Sequence, residues 1–580
     1  MAVGDSSMLR PSNQVLVAVL FVFLLTCVPL VAQTTHTVTS NADSGAGSLR
    51  AILEGTLNDG DTILFNILGG NTITLSSPLP QINVNDLTFG GTTPVIIDGD
   101  GNRIFDFGNS VSRLSLTNIV VDGSAGTGAF GGAIHCAPAR NITLLLDGVR
   151  FQNNTATSRS AAIEIFGGGG TRILTNTGIT VFDGNATNGS GGAINTNLNL
   201  TLENIDGGTI LFVNNAATGA IDYYSSGGAI STVDLFVGSG VTFDANTAHV
   251  GGAAYLLGDL SLDSILFQNN TAANMGGAVF FVDMGSNRIF PNPSFSTLTN
   301  TGNTNFIGNT ATNQGGAIAT YALAGHGGTT GALVITNTDG GTITFTGNRT
   351  TAADGQGGAI DAEGDVTVGQ GVTFDDNLAA YGGAIYSTGT DHLLDSTTFQ
   401  NNTATDFGGA IFFNSEAVLT STGNTTFTNN TAEHHGGAII AMDALNITNV
   451  GSGTLKFTDN QAVSSVGGAI YAGGDVVLAN TGGGTITFTD NTAGSTSGAI
   501  YSGGNVSIGS GVTFDGNSAE QAGAIQLHGS PGPSDRVLSL NSTTFQNNVA
   551  TGTREGYGGG AVYFSGRDDT LSNAGNTVFH

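Results

Sequence analysis

The chain is 580 residues long, with a formal net charge of −29, 39% hydrophobic residues and only 10% charged ones. Nucleic-acid binding needs clustered cations to neutralise phosphates. The 14 Lys and Arg, of which Lys456 is the single Lys, exclude that class and disfavour anionic membrane surfaces. The apolar content is too high and too regularly placed for disorder, and an acidic, Lys-poor surface suits a secreted protein kept soluble by self-repulsion.

In chain order, Arg10 precedes an apolar run from Val15 to Leu25, and polar sequence resumes at Gln33. A charged start, a short apolar stretch and the small Ala32 predict a signal peptide over residues 1–32. Leu24-Leu25-Thr26-Cys27 also resembles a lipobox, although Thr before the Cys departs from that pattern. No second long apolar run follows, so no transmembrane segment is expected. Removal of the signal leaves Cys136 as the only Cys. An intramolecular disulfide is then ruled out and stability rests on stacking; Cys136 itself reads as a small half-buried residue rather than a nucleophile.

Residues 33–125 predict an N-terminal cap and the first rungs of a stack. Ser48 to Leu53 is the one plausible helical turn. Apolar runs at Thr62–Phe65, Thr72–Leu75, Val95–Gly99 and Ile119–Gly123 read as strands between Gly, Asn and Asp turns. From 126 to 580 a Phe-x-x-Asn motif recurs fourteen times, with Phe at 151, 182, 212, 243, 267, 306, 345, 374, 399, 427, 457, 488, 514 and 545. The steps run from 24 to 39 residues, and each motif is followed by Gly-Gly-Ala-Ile or a variant. A repeat of this kind buries each unit against its neighbours, so the molecule is a solenoid. Each unit reads as two or three short strands with no helical period, and Ile343 and Phe345 fall on one face of such a strand. The prediction is an all-β, single-stranded parallel β-helix of roughly 18 rungs, a rod of about 90 Å at ~4.8 Å per rung.

The motif residues then have structural roles. The Phe side chains (Phe151, Phe182, Phe267, Phe399 and Phe427 in the clearest copies) are expected to point inward and stack from rung to rung. The Asn residues (Asn154, Asn185, Asn270, Asn402 and Asn430) are expected to occupy bends in the left-handed conformation and to bond one another in a ladder. The glycine pairs Gly131-Gly132, Gly191-Gly192, Gly408-Gly409 and Gly436-Gly437 are expected to supply positive φ at another corner, with Ala and Ile following on alternate faces. Some units decay: Ser160-Ala161, Ser497-Gly498 and Ala522-Gly523 replace the glycine pair, and Gly251-Gly252-Ala253-Ala254 loses the Ile.

Paired Phe-x-x-Asn and Gly-Gly-Ala-Ile motifs in this number resemble the passenger regions of the polymorphic outer membrane proteins of chlamydiae and related bacteria. The segment from Val38 to Ile52, followed by Gly60-Asp61-Thr62-Ile63, is similar to the leading edge of many exported bacterial β-helix proteins. The resemblance implies a right-handed, pectin-lyase-like β-helix at the cell surface, often adhesive, secreted through a C-terminal β-barrel. No barrel-type strands of ~10 alternating residues lie before His580, where the sequence reaches Phe579 of a fifteenth motif. The barrel is expected beyond it, or the protein is released or retained by another route.

Catalytic and metal readings are weaker. Gly325-His326-Gly327, Asn337-Thr338-Asp339 and Asp375-Asp376 match fragments of pectinolytic motifs, but in the wrong order and without an Arg-Ile-Lys. Bend carboxylates at Asp183, Asp244, Asp375, Asp376, Asp459, Asp490 and Asp515 suggest at most weak Ca²⁺ binding. His434-His435 is the only His pair, and no zinc spacing exists. The expected protein is a monomeric rod, non-catalytic, with no cofactor, acting as a surface adhesin or scaffold toward a protein or glycan. A carbohydrate-active or carbohydrate-binding β-helix is the alternative. Recognition is expected on the longest interruptions, Phe280 to Asn303 and Tyr321 to Thr338, with Phe290, Phe295 and Tyr321 as candidates.

Overall fold

The computed structural model describes residues 33–126, 131–138, 141–219, 226–283, 295–322, 331–528, 535–553, 558–566 and 568–580. The expected signal peptide with Cys27, Phe290 and Gly325-His326-Gly327 lie outside them. Ser48 caps the short helix Leu49–Leu53, its Oγ accepting from the Ala51 N–H at 3.2 Å. Among the described residues, every later regular element is a strand.

A regular rung contains Asp391–Asp395, Thr398–Gln400, Thr403–Phe407 and Ile411–Phe413. Each strand pairs in parallel with its equivalent one rung on, as in Phe399 with Phe427, Thr403 with Thr431 and Ile411 with Ile439. The outcome is three long sheets of 35, 15 and 16 strands wound as a right-handed β-helix. The first two strands of a rung both belong to the 35-stranded sheet. Its two faces are continuous through Asp86–Asp98 and Arg113–Asp122, whose pairing shifts register between Gly90 and Val95. Four strands per rung exceed the two or three expected. A backbone kink, such as positive φ at Ser396, divides one wall into two short strands.

The Phe column is continuous. From Phe151 to Phe579 successive rings lie 4.7–4.9 Å apart and within 13° of parallel. Each ring from Phe151 to Phe545 is at most 1% exposed. Burial of a Phe contributes roughly 1.5–3 kcal/mol and the ring pair a further ~0.5–1.5 kcal/mol. Ile343 and Phe345 share the core face as expected.

Beside the Phe column runs an amide ladder through all fourteen motif Asn residues. Asn154 Nδ2 donates to Asn185 Oδ1 at 2.8 Å, and the chain of bonds continues to Asn548. Each Nδ2 also donates to a backbone carbonyl of the preceding rung, as Asn402 does to Phe374 at 3.0 Å. Ser124 starts the ladder, its Oγ donating to Asn154 Oδ1 at 2.8 Å.

The ladder corrects one expectation. The motif Asn is not the left-handed residue; the position before it is, at Asn153 (φ 54°), Asn269 (φ 55°), Asn401 (φ 56°), Asn429 (φ 56°) and Gly184 (φ 64°). Bonding on both sides requires the motif Asn to be extended and buried, so the reversal falls one residue earlier. The glycine pair divides its labour too. Gly191, Gly408 and Gly436 have φ of 69°, 70° and 66°, whereas Gly131 does not adopt positive φ. The second glycines Gly192, Gly409 and Gly437 are needed for space: a Cβ there would overlap the carbonyl of Gly228, Gly437 and Gly468, one rung on. At Gly132 it would overlap that of Ala161. Ala410 and Ile411 are both in the core rather than on alternate faces, because Ala is still inside the corner.

Candidate functional site

The Gly-Gly-Ala-Ile corner creates an outer seam. The residue before the first Gly and the residue after the Ile, five apart, both lie outside the core. The first kind forms a wall with Val250, Met275, Gln314, Gln356, Tyr381 and Phe407 in register. The second kind forms a floor with Tyr255, Phe280, Ala319, Asp361, Tyr386, Phe412, Ile440, Tyr471 and Tyr501. Two apolar clusters separate from the core result. One holds Val250, Tyr255, Phe280, Val282 and Ala319; the other holds Tyr386, Phe412 and Ile440, with Tyr381, Phe407 and Tyr471 against them. Stacking continues along the seam from Phe407 to His435 (5.1 Å), Tyr471 (4.7 Å) and Tyr501 (5.0 Å).

Charge enters this seam at two places. In the first rungs the floor carries Asp106, His135 and Glu164 in register. His135 Nδ1 lies 2.9 Å from Asp106, a contact that holds the Asp106 carboxyl below its usual range, and Arg159 pairs with the fully buried Glu164 at 3.1 Å. Between the two apolar clusters the seam turns polar: Gln314 faces Ala319, and Gln356 faces Asp361. Burial, and then the Glu363 charge, push the Asp361 carboxyl well above the ordinary carboxylate range. Burial raises Glu363 as well, although its Oε2 accepts from the Ala322 N–H at 2.8 Å. Tyr386, on the next rung, is pushed up to about 12 by burial and then by Asp361.

The residues singled out from sequence fall as follows. All the motif Phe and Asn positions of Phe-x-x-Asn belong to the core columns and none to the seam. Cys136 is fully buried rather than half-buried, and burial raises its thiol far above the usual range. Asn337 accepts from Asn300 Nδ2 at 2.8 Å in a short second amide ladder, so Asn337-Thr338-Asp339 is a corner of the rung. Asp375 accepts from Asn401 Nδ2 at 2.9 Å, and Asp376 is the left-handed residue of its motif. Asp122, Asp244 and Asp515 likewise accept from the left-handed Asn of the following rung. Among the described residues no group of three or more His, Cys, Asp or Glu could hold a metal ion. Tyr321 is half-buried against Phe280 (6.5 Å), Phe280 is fully buried, and Phe295 begins the strand Phe295–Asn300. His434 pairs with Asp406 at 2.9 Å while His435 stacks between Phe407 and Tyr471. Sequence reasoning missed the seam, whose signal was available: large side chains recur on both sides of Gly-Gly-Ala-Ile.

Among the described residues no helix is long and apolar enough to cross a membrane. Comparison with curated proteins and with solved structures finds no match. The model of the Chlamydia polymorphic membrane protein repeat matches residues 264–282, 303–321, 342–363, 371–388, 396–414, 424–441 and 454–473. Each matched segment carries a Phe and an Asn of the two core columns. Seven segments between residues 264 and 473 thus match the Chlamydia polymorphic membrane protein repeat, and they lie within a longer right-handed parallel β-helix.

Proposed function

We propose that this is an exported β-helix protein displayed at the bacterial cell surface, acting there as an adhesin-like or structural scaffold without catalysis. The observation that carries this reading is a contrast within each rung. The Phe and Asn columns run without a break from Phe151 to Asn548, while outward-facing strand positions change from rung to rung, as in the registered series Val418, Asn446, Val477 and Ser507. A constant interior with a variable exterior suits recognition on a rigid support. The repeat family supports a place at the outer membrane or cell surface.

The test is adhesion of beads coated with the full chain to cultured animal cells, before and after the cells are treated with protease or with glycosidases. Saturable binding abolished by one treatment is expected, and which treatment abolishes it identifies a protein or a glycan ligand. Absence of binding together with depolymerisation of a polysaccharide would replace this reading with the carbohydrate-active one.

A further inference from the structure

Tyr471 and Tyr501 stack face to face on the outer seam. They are the central residues of the strands Ile470–Ala472 and Ile500–Ser502, which pair in parallel and in register. The ring centroids lie 5.0 Å apart and the planes are 5° from parallel. Both rings are half-buried, so each keeps an edge toward solvent. Burial, and then the neighbouring Tyr471, push the Tyr501 hydroxyl up to about 12, as two phenol oxygens side by side require. The other face of Tyr471 is covered by His435, whose ring lies 4.7 Å away and 10° from parallel. Tyr471 is thus held between two flat neighbours and aligned on Tyr501.

Among the described residues this is the one place where two tyrosine rings meet. Tyr255 and Tyr321 each pack on Phe280, and Tyr381 and Tyr386 each pack on Phe412. Tyr563 is separated from Tyr501 by Gln526 in the register of the floor strands.

We propose that Tyr471 and Tyr501 form an oxidative cross-linking site, at which a haem peroxidase with hydrogen peroxide joins them as dityrosine. The peroxidase removes one electron from each phenol, and each phenolic proton passes to solvent. The two phenoxyl radicals carry spin on the ring carbons beside the oxygen. A bond forms between one such Cε of each ring, and the hydrogen on each bonded carbon moves through solvent to that ring's own oxygen, which restores both phenols. Two electrons and two protons leave the protein and reduce one hydrogen peroxide to two waters. Alignment in the fold makes the coupling intramolecular, and the open edges let the rings turn toward each other as the bond closes. The product is a staple. Beyond residues 1–32 the chain has only Cys136 and so no disulfide of its own, and each rung of a solenoid is held by its neighbours alone. The new bond closes a loop of one rung and restricts the unfolded chain as a disulfide would. It stands whether or not the rod is an adhesin.

The experiment treats the full chain in dilute solution with a haem peroxidase and hydrogen peroxide. Cleavage before Asp459, Asp475, Asp490 and Asp515 then places Tyr471 and Tyr501 on separate peptides, residues 459–474 and 490–514. Dityrosine fluorescence is expected in the monomer band, with those two peptides linked and lighter by two hydrogens, in a yield unchanged by tenfold dilution. Tyr471→Phe and Tyr501→Phe keep the stacked rings without a phenol; each is expected to lose the linked peptide and at least half of the monomer fluorescence, whereas Tyr386→Phe keeps both. The linked protein is expected to unfold at a higher urea midpoint than Tyr501→Phe treated alike. Absence of the linked peptide from the unsubstituted chain, a yield that falls on dilution, or unchanged monomer fluorescence in Tyr501→Phe overturns the site. Equal urea midpoints overturn its role as a staple.

Discussion

His392 occupies a core position where the next rung places Leu419. It is 4% exposed and its ring lies 4.3 Å from that of Phe413. Nδ1 accepts from the Val366 N–H at 3.2 Å and Nε2 faces the Gly389 carbonyl at 3.2 Å, which fixes a neutral tautomer with the proton on Nε2. Burial pushes its pKa down to about 4, while the unfolded side chain titrates near ~6.5. Between those values the unfolded chain takes up a proton that the folded chain refuses. The stabilisation is therefore complete above ~6.5 and is lost as pH falls toward 4, by up to about 3 kcal/mol. Urea unfolding at pH 7.5 and 4.5 should show His392→Leu less stable at the higher pH, by about 2 kcal/mol for two stranded backbone groups, yet with a shallower fall on acidification. Equal losses in both proteins would mean that His392 is not held neutral. At Ala245 the backbone has φ of 53° with a Cβ that this conformation opposes. Ala245→Gly should raise stability by roughly 1 kcal/mol, measured as a shift in urea midpoint without a change in slope.

At the scale of the rung, each motif Asn ties three strands together. Asn377 donates to Phe345 O and Asn402 Oδ1, both at 2.9 Å, and accepts from the Asn348 backbone and side chain at 3.0 Å. Asn377→Leu fills the volume but strands donors and acceptors on both sides, so a loss of at least about 3 kcal/mol is expected in chemical denaturation. The glycine pair makes a paired prediction. Gly409→Ala drives a methyl into the Gly437 carbonyl of the next rung, whereas Gly408→Ala meets an unfavourable φ, which Ser497 adopts at 64°, and a lesser overlap, 2.6 Å from the Ile411 carbonyl of its own corner. Gly409→Ala should therefore be the more destabilising of the two by several kcal/mol, and equal effects would refute the division of roles. Two of the three decayed units fit this order, since Ser497-Gly498 and Ala522-Gly523 lose the first glycine and keep the second, whereas Ser160-Ala161 loses both. Repeats, Phe stacking and the amide ladder were legible because identical residues at a fixed period have one way to stack. The left-handed position was legible in principle, as Asn, Asp and Gly dominate the third place of Phe-x-x-Asn, but the motif Asn next to it drew the assignment. The Gln314–Asp361 hydrogen bond was not legible: it joins side chains of successive rungs across one corner, a fact of three dimensions.

Along the whole molecule the charges are unevenly placed. Arg50, Arg103, Arg150 and Arg159 pair with Asp43, Asp106, Asp183 and Glu164 in the first rungs. From residue 184 onward the one ion pair among the described residues is His434 with Asp406. A net charge of −29 is thus least compensated in the middle of a rod about 90 Å long. In a solenoid each rung touches only its neighbours, so repulsion there lowers local stability rather than spreading over the chain. The Debye length shortens from ~30 Å at 0.01 M salt to ~10 Å at 0.1 M, which removes most repulsion between carboxylates on successive rungs while leaving the buried amide ladder unaffected. Raising NaCl from 10 to 300 mM, in round figures of about thirtyfold, should increase the melting temperature. Amide hydrogen exchange should slow more in residues 342–515 than in residues 105–183. A fall in melting temperature with salt, or an equal gain along the chain, would place the governing charges in the ion pairs of the first rungs instead.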